Sequence, residues 1–255
     1  MSEESSFVPL PIQNELNTIW RYMDFTKFVS LLDKKSLFFC RADKLDDPFE
    51  GSSTIPNTET WKRSFYQQWV IEGKMGFAMM DQLLKEYADG KKSLKQLVNI
   101  NSWYMKEYES AAMWQLYAQS NEAVAIRSTV KLLRESLPPF SQLFIGGVKY
   151  IDYRVESISE KYITDRFFYK RKSFEHEEEI RAILLNLNPN WLSTIHAVES
   201  QGGVYIKVKV DTLIDKIFVA PKSPAWFKEL VENIIRLYGI QKDVERTSLD
   251  AKELY

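Results

Sequence analysis

The chain has 255 residues, among them 9 Gly, 9 Pro, 2 His and 1 Cys, and a formal net charge of -1. One Cys excludes an internal disulfide and a multi-cysteine zinc site, His176 and His196 cannot make an H-E-x-x-H zinc helix, and the Gly-rich phosphate cradles G-x-x-x-x-G-K-[ST] and G-x-G-x-x-G are both absent. With 45% hydrophobic and 27% charged residues in near balance, the composition argues against disorder, against a basic nucleic-acid domain and, lacking 18 consecutive apolar residues, against a membrane span.

In chain order, residues 1–17 read as a polar, flexible tail interrupted by Pro9 and Pro11. The acidic start, from Met1 to Leu16, has no basic or apolar leader pattern, so the expected location is cytoplasmic. Ile19 to Tyr22 is a short strand, and Asp24 is placed to cap a helix with Phe25, Phe28, Val29, Leu31 and Leu32 on its apolar face. Ser36 to Arg41 is a second strand that ends in the loop Asp46-Asp47-Pro48-Phe49-Glu50-Gly51, because Pro48 disfavours helix at Asp47. From Thr58 to about Ala118 the apolar steps are helical, including Phe65, Trp69, Leu83, Leu94, Trp103 and Met113-Trp114. Ala123 to Ile126 is a strand, and Ser128 is placed to cap a helix carrying Val130, Leu133 and Leu137. Strands are expected over 144–153, 179–185, 204–210 and 216–220. A final helix starts at Ser223-Pro224 with Trp226, Phe227, Leu230, Val231, Ile234 and Ile235 on its face, and a last strand spans 244–249. The irregular order predicts an α+β fold: a mixed, largely antiparallel sheet, a helical insertion over about 58–118 and a C-terminal helix, in a single domain over 18–255.

The segment Lys170-Arg171-Lys172-Ser173-Phe174-Glu175-His176-Glu177-Glu178-Glu179-Ile180-Arg181-Ala182 carries the most chemistry, above all in its second half. If it is extended, Glu177, Glu179 and Arg181 share one face. Like charges two residues apart repel, and burial would raise at least one carboxyl pKa, which a cation, a sugar hydroxyl or a developing positive charge could compensate. The alternative is an exposed edge strand on which Arg181 pairs with Glu179. Asp43, Asp46, Asp47 and Glu50 could ligate a hard cation, although EF-hand spacing is missing. Equally, Asp46 and Asp47 could bond local backbone N–H groups while Phe49 plugs the core.

Arg21, between Trp20 and Tyr22, suits a bidentate contact with phosphate or carboxylate, or a stack on its aromatic neighbours. Tyr104, Tyr108, Trp114 and Tyr117 form an aromatic stripe of a kind that is usually core but can wall a ligand site. The run Arg166 to Lys172 mixes cations and aromatics and reads as a solvated helix end, with phosphate or single-stranded nucleic acid as the alternative. His176 and His196 read as structural, and Cys40 as a small core residue.

Taken together, Trp20-Arg21-Tyr22, Leu37-Phe38-Phe39, Asp47-Pro48-Phe49-Glu50, Met113-Trp114-x-x-Tyr117, Val148-x-Tyr150 and Phe174-x-x-Glu177-x-Glu179-x-Arg181 resemble, in order, a widespread bacterial family of unknown function. The resemblance runs from about Trp20 to Ser248. A more distant one links Arg21, Ser128 and Glu177-x-Glu179 to the ADP-ribosyltransferase superfamily, although Ser128-Thr129 is not a full Ser-Thr-Ser motif. This second resemblance implies that Arg21 holds the phosphates of NAD and that Ser128 supports the site. It further implies that Glu179 stabilises the oxocarbenium-like charge while Glu177 orients the nucleophile.

The leading expectation is therefore an ADP-ribosyltransferase-like transferase or NAD glycohydrolase, with Glu179 and Glu177 catalytic. Arg21, Tyr22, Ser128, Trp114, Tyr117 and Arg181 are the expected ligand-binding residues. NAD enters as substrate rather than cofactor; no metal, membrane or nucleic-acid partner is expected, and the acceptor could be a protein. A non-catalytic ligand-binding or regulatory domain, in bacterial defence or stress, is the second expectation. A metal-dependent phosphodiesterase or nuclease using Asp47, Glu50, Glu177 and Glu179 is the third.

Overall fold

The computed structural model describes residues 11–72, 77–118, 120–188 and 190–251. The elements run β1 (Thr18–Asp24), α1 (Phe25–Lys34), β2 (Ser36–Arg41), α2 (Ile55–Tyr66), α3 (Phe77–Leu94), β3 (Val98–Met105), α4 (Ala111–Tyr117) and β4 (Ala123–Thr129). They continue through α5 (Val130–Ser136), β5 (Leu143–Gly147), β6 (Lys149–Ile151), β7 (Tyr169–Arg171), β8 (Glu179–Leu185) and α6 (Asn190–Thr194). The last six are β9 (Val198–Ser200), β10 (Gly203–Lys207), α7 (Val210–Leu213), β11 (Lys216–Val219), α8 (Ala225–Leu237) and β12 (Val244–Arg246). The fold is α+β with a largely antiparallel sheet and a C-terminal helix, as composition and pattern predict.

Two physical facts organise the ten-stranded sheet. First, β8 is central, paired with β3 along seven residues and with β5 on its other side. Its side chains are buried on both faces, which explains the near-continuous apolar run Ile180 to Leu184. Second, β1 and β2 both pair with the same edge of β3, at opposite ends of it. Ile19 and Trp20 meet Met105 and Tyr104, while Cys40 and Arg41 meet Ile100 and Asn99. Over residues 101–103 the two strands part, and the sheet splits. Side chains satisfy the carbonyls exposed there. Asn101 Nδ2 donates to the Phe38 carbonyl at 2.8 Å, and Arg21 Nη1 donates to the Ser102 carbonyl at 2.7 Å.

The main core lies under one face of the sheet, where α1, α5 and α8 pack Phe28, Leu32, Leu133, Phe227 and Val231 against Ile19, Val124, Ile126, Trp103 and Ile180. On the other face Trp20, Tyr22, Met113, Trp114 and Phe218 form a smaller aromatic cluster. Residues from Glu15 to Asn17 run against α5, their carbonyls accepting from Lys131 and Val130; residues 1–10 of the expected tail lie outside the described residues.

Several local expectations are corrected. The helical pattern over 58–118 is broken by β3, and Trp103 is a core residue of that strand. Its neighbours Val98, Ile100 and Trp103 are β-branched or aromatic and pack on strands to either side, so tertiary pairing overrides the apparent helical step. The cap of α5 is Thr129, whose hydroxyl accepts from the Leu132 N–H; Ser128 ends inside the strand. Phe49 does not plug the core but is 40% exposed, its ring edge-on to Tyr153. Trp226 is exposed while Phe227, Val231 and Ile235 carry the packing of α8.

Gly51 has φ +66, and a Cβ there would stand 2.2 Å from the Phe167 ring; a Cβ at Gly90, within α3, would meet nothing within 4 Å. Urea unfolding should therefore give opposite signs for two like substitutions. Gly51→Ala should cost about 2 to 4 kcal/mol from overpacking and left-handed backbone, and Gly90→Ala should add about 1 kcal/mol.

Candidate functional site

Where the sheet splits, a cavity of about 710 Å³ opens, a size suited to a small organic ligand. Its walls come from β1 and α1 on one side, β2 and the Asp46–Glu50 loop on another, and β7, β8 and α4 on the third. Arg21 and Glu179 line this one cavity, together with Glu177, Arg181, Tyr22 and Tyr117. Ser128 and Trp114 do not line it. Ser128 is fully buried and its hydroxyl donates to the Leu213 carbonyl. Trp114 packs edge-on to Tyr22 at 5.0 Å and donates its indole N–H to Glu109. Both are structural in their contacts.

The cavity floor is a cluster of five buried charges. Arg181, 1% exposed, donates from Nε and Nη2 to Glu179 at 2.8 and 3.1 Å, and from Nη1 and Nη2 to Glu50 at 2.7 and 2.9 Å. A further Nη1 hydrogen bond at 2.7 Å goes to the Phe167 carbonyl, so all five guanidinium N–H groups are used. Lys170 donates to Glu177 Oε2 at 2.6 Å and to Glu179 Oε1, and lies 3.6 Å from Glu50 Oε1. The edge-strand reading of Arg181 thus fails: the pair exists, but within a central strand and inside the cavity.

Backbone geometry brings Glu177 to this floor by an unexpected route. It ends the short 3-10 stretch Lys172–Glu177, and Glu178 then takes a left-handed conformation, φ 35, before β8 begins. Glu177 and Glu179 therefore do not alternate along one strand. They converge because the turn folds both carboxylates onto Lys170, while Glu178 turns outward to Lys106 at 2.8 Å. Tyr150 OH accepts from the Glu179 N–H at 2.8 Å and fixes the start of the strand.

The two carboxyls are driven apart in acidity. Burial and the hydrogen bond that protonated Glu177 donates to Glu179 push Glu177 up to about 7. Burial also opposes ionisation of Glu179, but the charge and hydrogen bonds of Arg181, with Lys170, outweigh it and hold that carboxyl well below its ordinary range. Tyr117 is raised to about 12, first by burial and then by the Glu177 and Glu179 charges.

Arg21 is the contrasting cation. Its Nη1 caps the Ser102 carbonyl and its guanidinium lies 5.9 Å from the Trp103 ring centre. Among the described residues no carboxylate lies within ion-pair distance of it. Burial accordingly lowers its pKa to about 10. A half-buried guanidinium that lines a cavity with no carboxylate partner among the described residues is a binding point for an anion.

Sequence reasoning named Glu50 only as a candidate cation ligand and Lys170 only within a charged run, and paired neither with Arg181 or with the carboxylates of Glu177 and Glu179. Lys170 was hidden in the run 166–172, whose expected solvated helix end is in fact a buried 3-10 turn leading into β7. The three successive aromatics Phe167, Phe168 and Tyr169, which a solvated helix end would not need, were the available signal. Cys40 lines the cavity and is only partly buried. Asp47 bonds the Phe49 N–H at 3.0 Å, as the local-turn reading expects, and pairs with Arg171 at 3.0 Å. The metal-site reading requires Asp47, Glu50, Glu177 and Glu179 to surround a hard cation. Instead Arg181 and Lys170 fill the space between Glu50, Glu177 and Glu179, and Asp47 is taken by Arg171. Among the described residues no group of three His, Cys, Asp or Glu is placed to hold a metal. No described helix is long and apolar enough to cross a membrane.

No protein-family profile matches the chain, and no curated protein matches it. Among solved structures, it is similar to DarT of Thermus sp. 2.9 in complex with NAD+, at 7% identity and TM-score 0.42, covering 94% of this chain and 100% of that one. The carba-NAD+ complex of the same protein gives 11% identity and TM-score 0.38, covering 93% and 98% respectively.

The two cavity arginines should separate in stability measurements. Arg181→Met strands two buried carboxylates and should cost about 3 to 5 kcal/mol, whereas Arg21→Met removes an unpaired charge and should stay within about 1 kcal/mol of wild type by urea unfolding. Glu177 supplies a pH test. Its carboxyl, raised from 4.5 to about 7, binds its proton more tightly folded than unfolded. That contribution is complete below 4.5 and is lost as the pH rises through 7. Melting temperatures of wild type relative to Glu177→Gln should fall across that window.

Proposed function

We propose that the cavity takes NAD or a related nucleotide and that the chain is an ADP-ribosyltransferase-like enzyme acting at the glycosidic bond. The observation that carries this reading is that Arg21, with no carboxylate partner among the described residues, and the Glu177–Glu179 pair line one cavity of about 710 Å³. Arg21 supplies the anion-binding charge for a phosphate. Glu179, whose ionised form is secured by Arg181, supplies a standing negative charge for the cation that forms as the ribose C1′–N bond breaks. Nicotinamide leaves with the bonding pair and becomes neutral. Glu177, its carboxyl pushed above the ordinary range by burial and by Glu179, has the acidity of a base that can take a proton from the incoming hydroxyl or amine. Tyr22 and Tyr117 wall the cavity, and the acceptor is water or a side chain of a protein.

A second reading has its own support. Both oxygens of Glu179 are engaged by cations, as in a purely structural ion network, which favours a non-catalytic binding domain. The two readings divide on turnover. With NAD+ and purified protein, calorimetry should show binding that Arg21→Met weakens about 10- to 100-fold, the worth of a charge-assisted contact. Chromatography should show nicotinamide release by wild type and none by Glu177→Gln. Binding without release supports the binding domain, and no binding contradicts both.

A further inference from the structure

Glu177 depends on one cation. Lys170 Nζ, 2.6 Å from Glu177 Oε2, is the sole cation in ion-pair contact with it among the described residues. Arg181 is spent on Glu50, Glu179 and the Phe167 carbonyl. Lys170 is itself buried, has the Phe174 ring 4.7 Å away, and shares its remaining donors between Glu179 and the vicinity of Glu50. The other titratable groups near Glu177 are Tyr117 from α4 and Tyr150 from β6, both protonated phenols, and Glu179 from β8, whose charge repels. Glu178, next in the chain, is turned outward to Lys106. With Glu177 ionised, the floor holds three carboxylates against two cations; with it protonated, the charges cancel. Glu177 is thus the group through which the floor gains or loses charge, and the Lys170 contact decides how readily it does so.

We propose that Lys170 is the positioning residue of the site: its ammonium holds the Glu177 carboxylate beside Glu179 and keeps it available as a base. This rests on the reading of Glu177 as the base of the proposed reaction, but its test begins without ligand. The burial of Lys170 fits the role. Burial alone would lower its pKa, yet the Glu179 charge and the hydrogen bonds to both carboxylates hold it above its ordinary value, so the ammonium persists while Glu177 titrates.

The experiment is a carbon- and nitrogen-detected NMR titration of the full chain, following Glu177 Cδ and Lys170 Nζ. In wild type the two signals should move together at one midpoint. Lys170→Met should raise the Glu177 midpoint by about one to three pH units, the effect of removing an opposite charge in contact, while Lys170→Arg should leave it nearly in place. An unchanged midpoint in Lys170→Met overturns the proposal. If that variant does not fold, a Lys170 signal that stays flat through the Glu177 midpoint overturns it in wild type alone. The pH profile of nicotinamide release should shift alkaline in Lys170→Met and recover in Lys170→Arg. Absence of release in wild type, with the midpoint shift present, refutes the NAD reading and leaves the assignment of Lys170 as the group that sets Glu177 intact.

Discussion

The guanidinium of Arg181 is the constraint from which the rest of this structure follows. A central strand offers no water to a charged side chain, so each of its five N–H groups must find an acceptor in the protein. Two bidentate carboxylates and one carbonyl meet that demand. One carboxylate, Glu179, is local to the strand. The other, Glu50, must be delivered by the loop after β2, and this pins that loop across the sheet. Asp47 on the same loop then reaches Arg171, and Gly51 passes against Phe167 where a side chain would not fit. A wall of the cavity is therefore fixed by electrostatic satisfaction at its floor.

The cavity itself exists because β3 offers one edge to two strands. Had β1 continued along it, the carbonyls over residues 101–103 would be in a ladder and there would be no opening. The parting leaves acceptors that Asn101 and Arg21 satisfy. Arg21 uses part of its hydrogen-bonding capacity for this and keeps a charge that no carboxylate among the described residues neutralises. Holding that charge half-buried with only a carbonyl and a ring beside it is thermodynamically costly, a pattern expected where stability is given up for a ligand. The floor and the split thus set opposite electrostatic conditions along one cavity: a carboxylate pair at one place, an unpaired cation at another.

Much of this was legible in the sequence where local chemistry decides. The strand around Arg21, the loop at Pro48, the strand from Glu179 and the α+β class all follow from patterns within a few residues. So does the prominence of Glu177, Glu179 and Arg181. What was not legible depends on distant partners. β3 reads as helix because its apolar spacing fits three- and four-residue steps, and only its neighbours β1, β2 and β8 make it a strand. Lys170 reads as part of a solvated helix end and Glu50 as a loop carboxylate fit for a cation, until the fold buries them near Arg181, 11 and 131 residues away in sequence. Ser128 illustrates the reverse: its place in an ordered motif suggested a site, but β4 turns it into the core, where its hydroxyl serves the Leu213 carbonyl.

The account stands on one cavity receiving a phosphate at Arg21 and a glycosidic centre at the carboxylate pair. A crystal structure of the chain grown with NAD+ tests this most directly. The account predicts density for the dinucleotide within the split sheet, a phosphate oxygen at hydrogen-bond distance from the Arg21 guanidinium, and the nicotinamide ribose facing Glu177 and Glu179. A dinucleotide bound elsewhere, or one whose phosphates lie away from Arg21 with the ribose remote from both carboxylates, would contradict it.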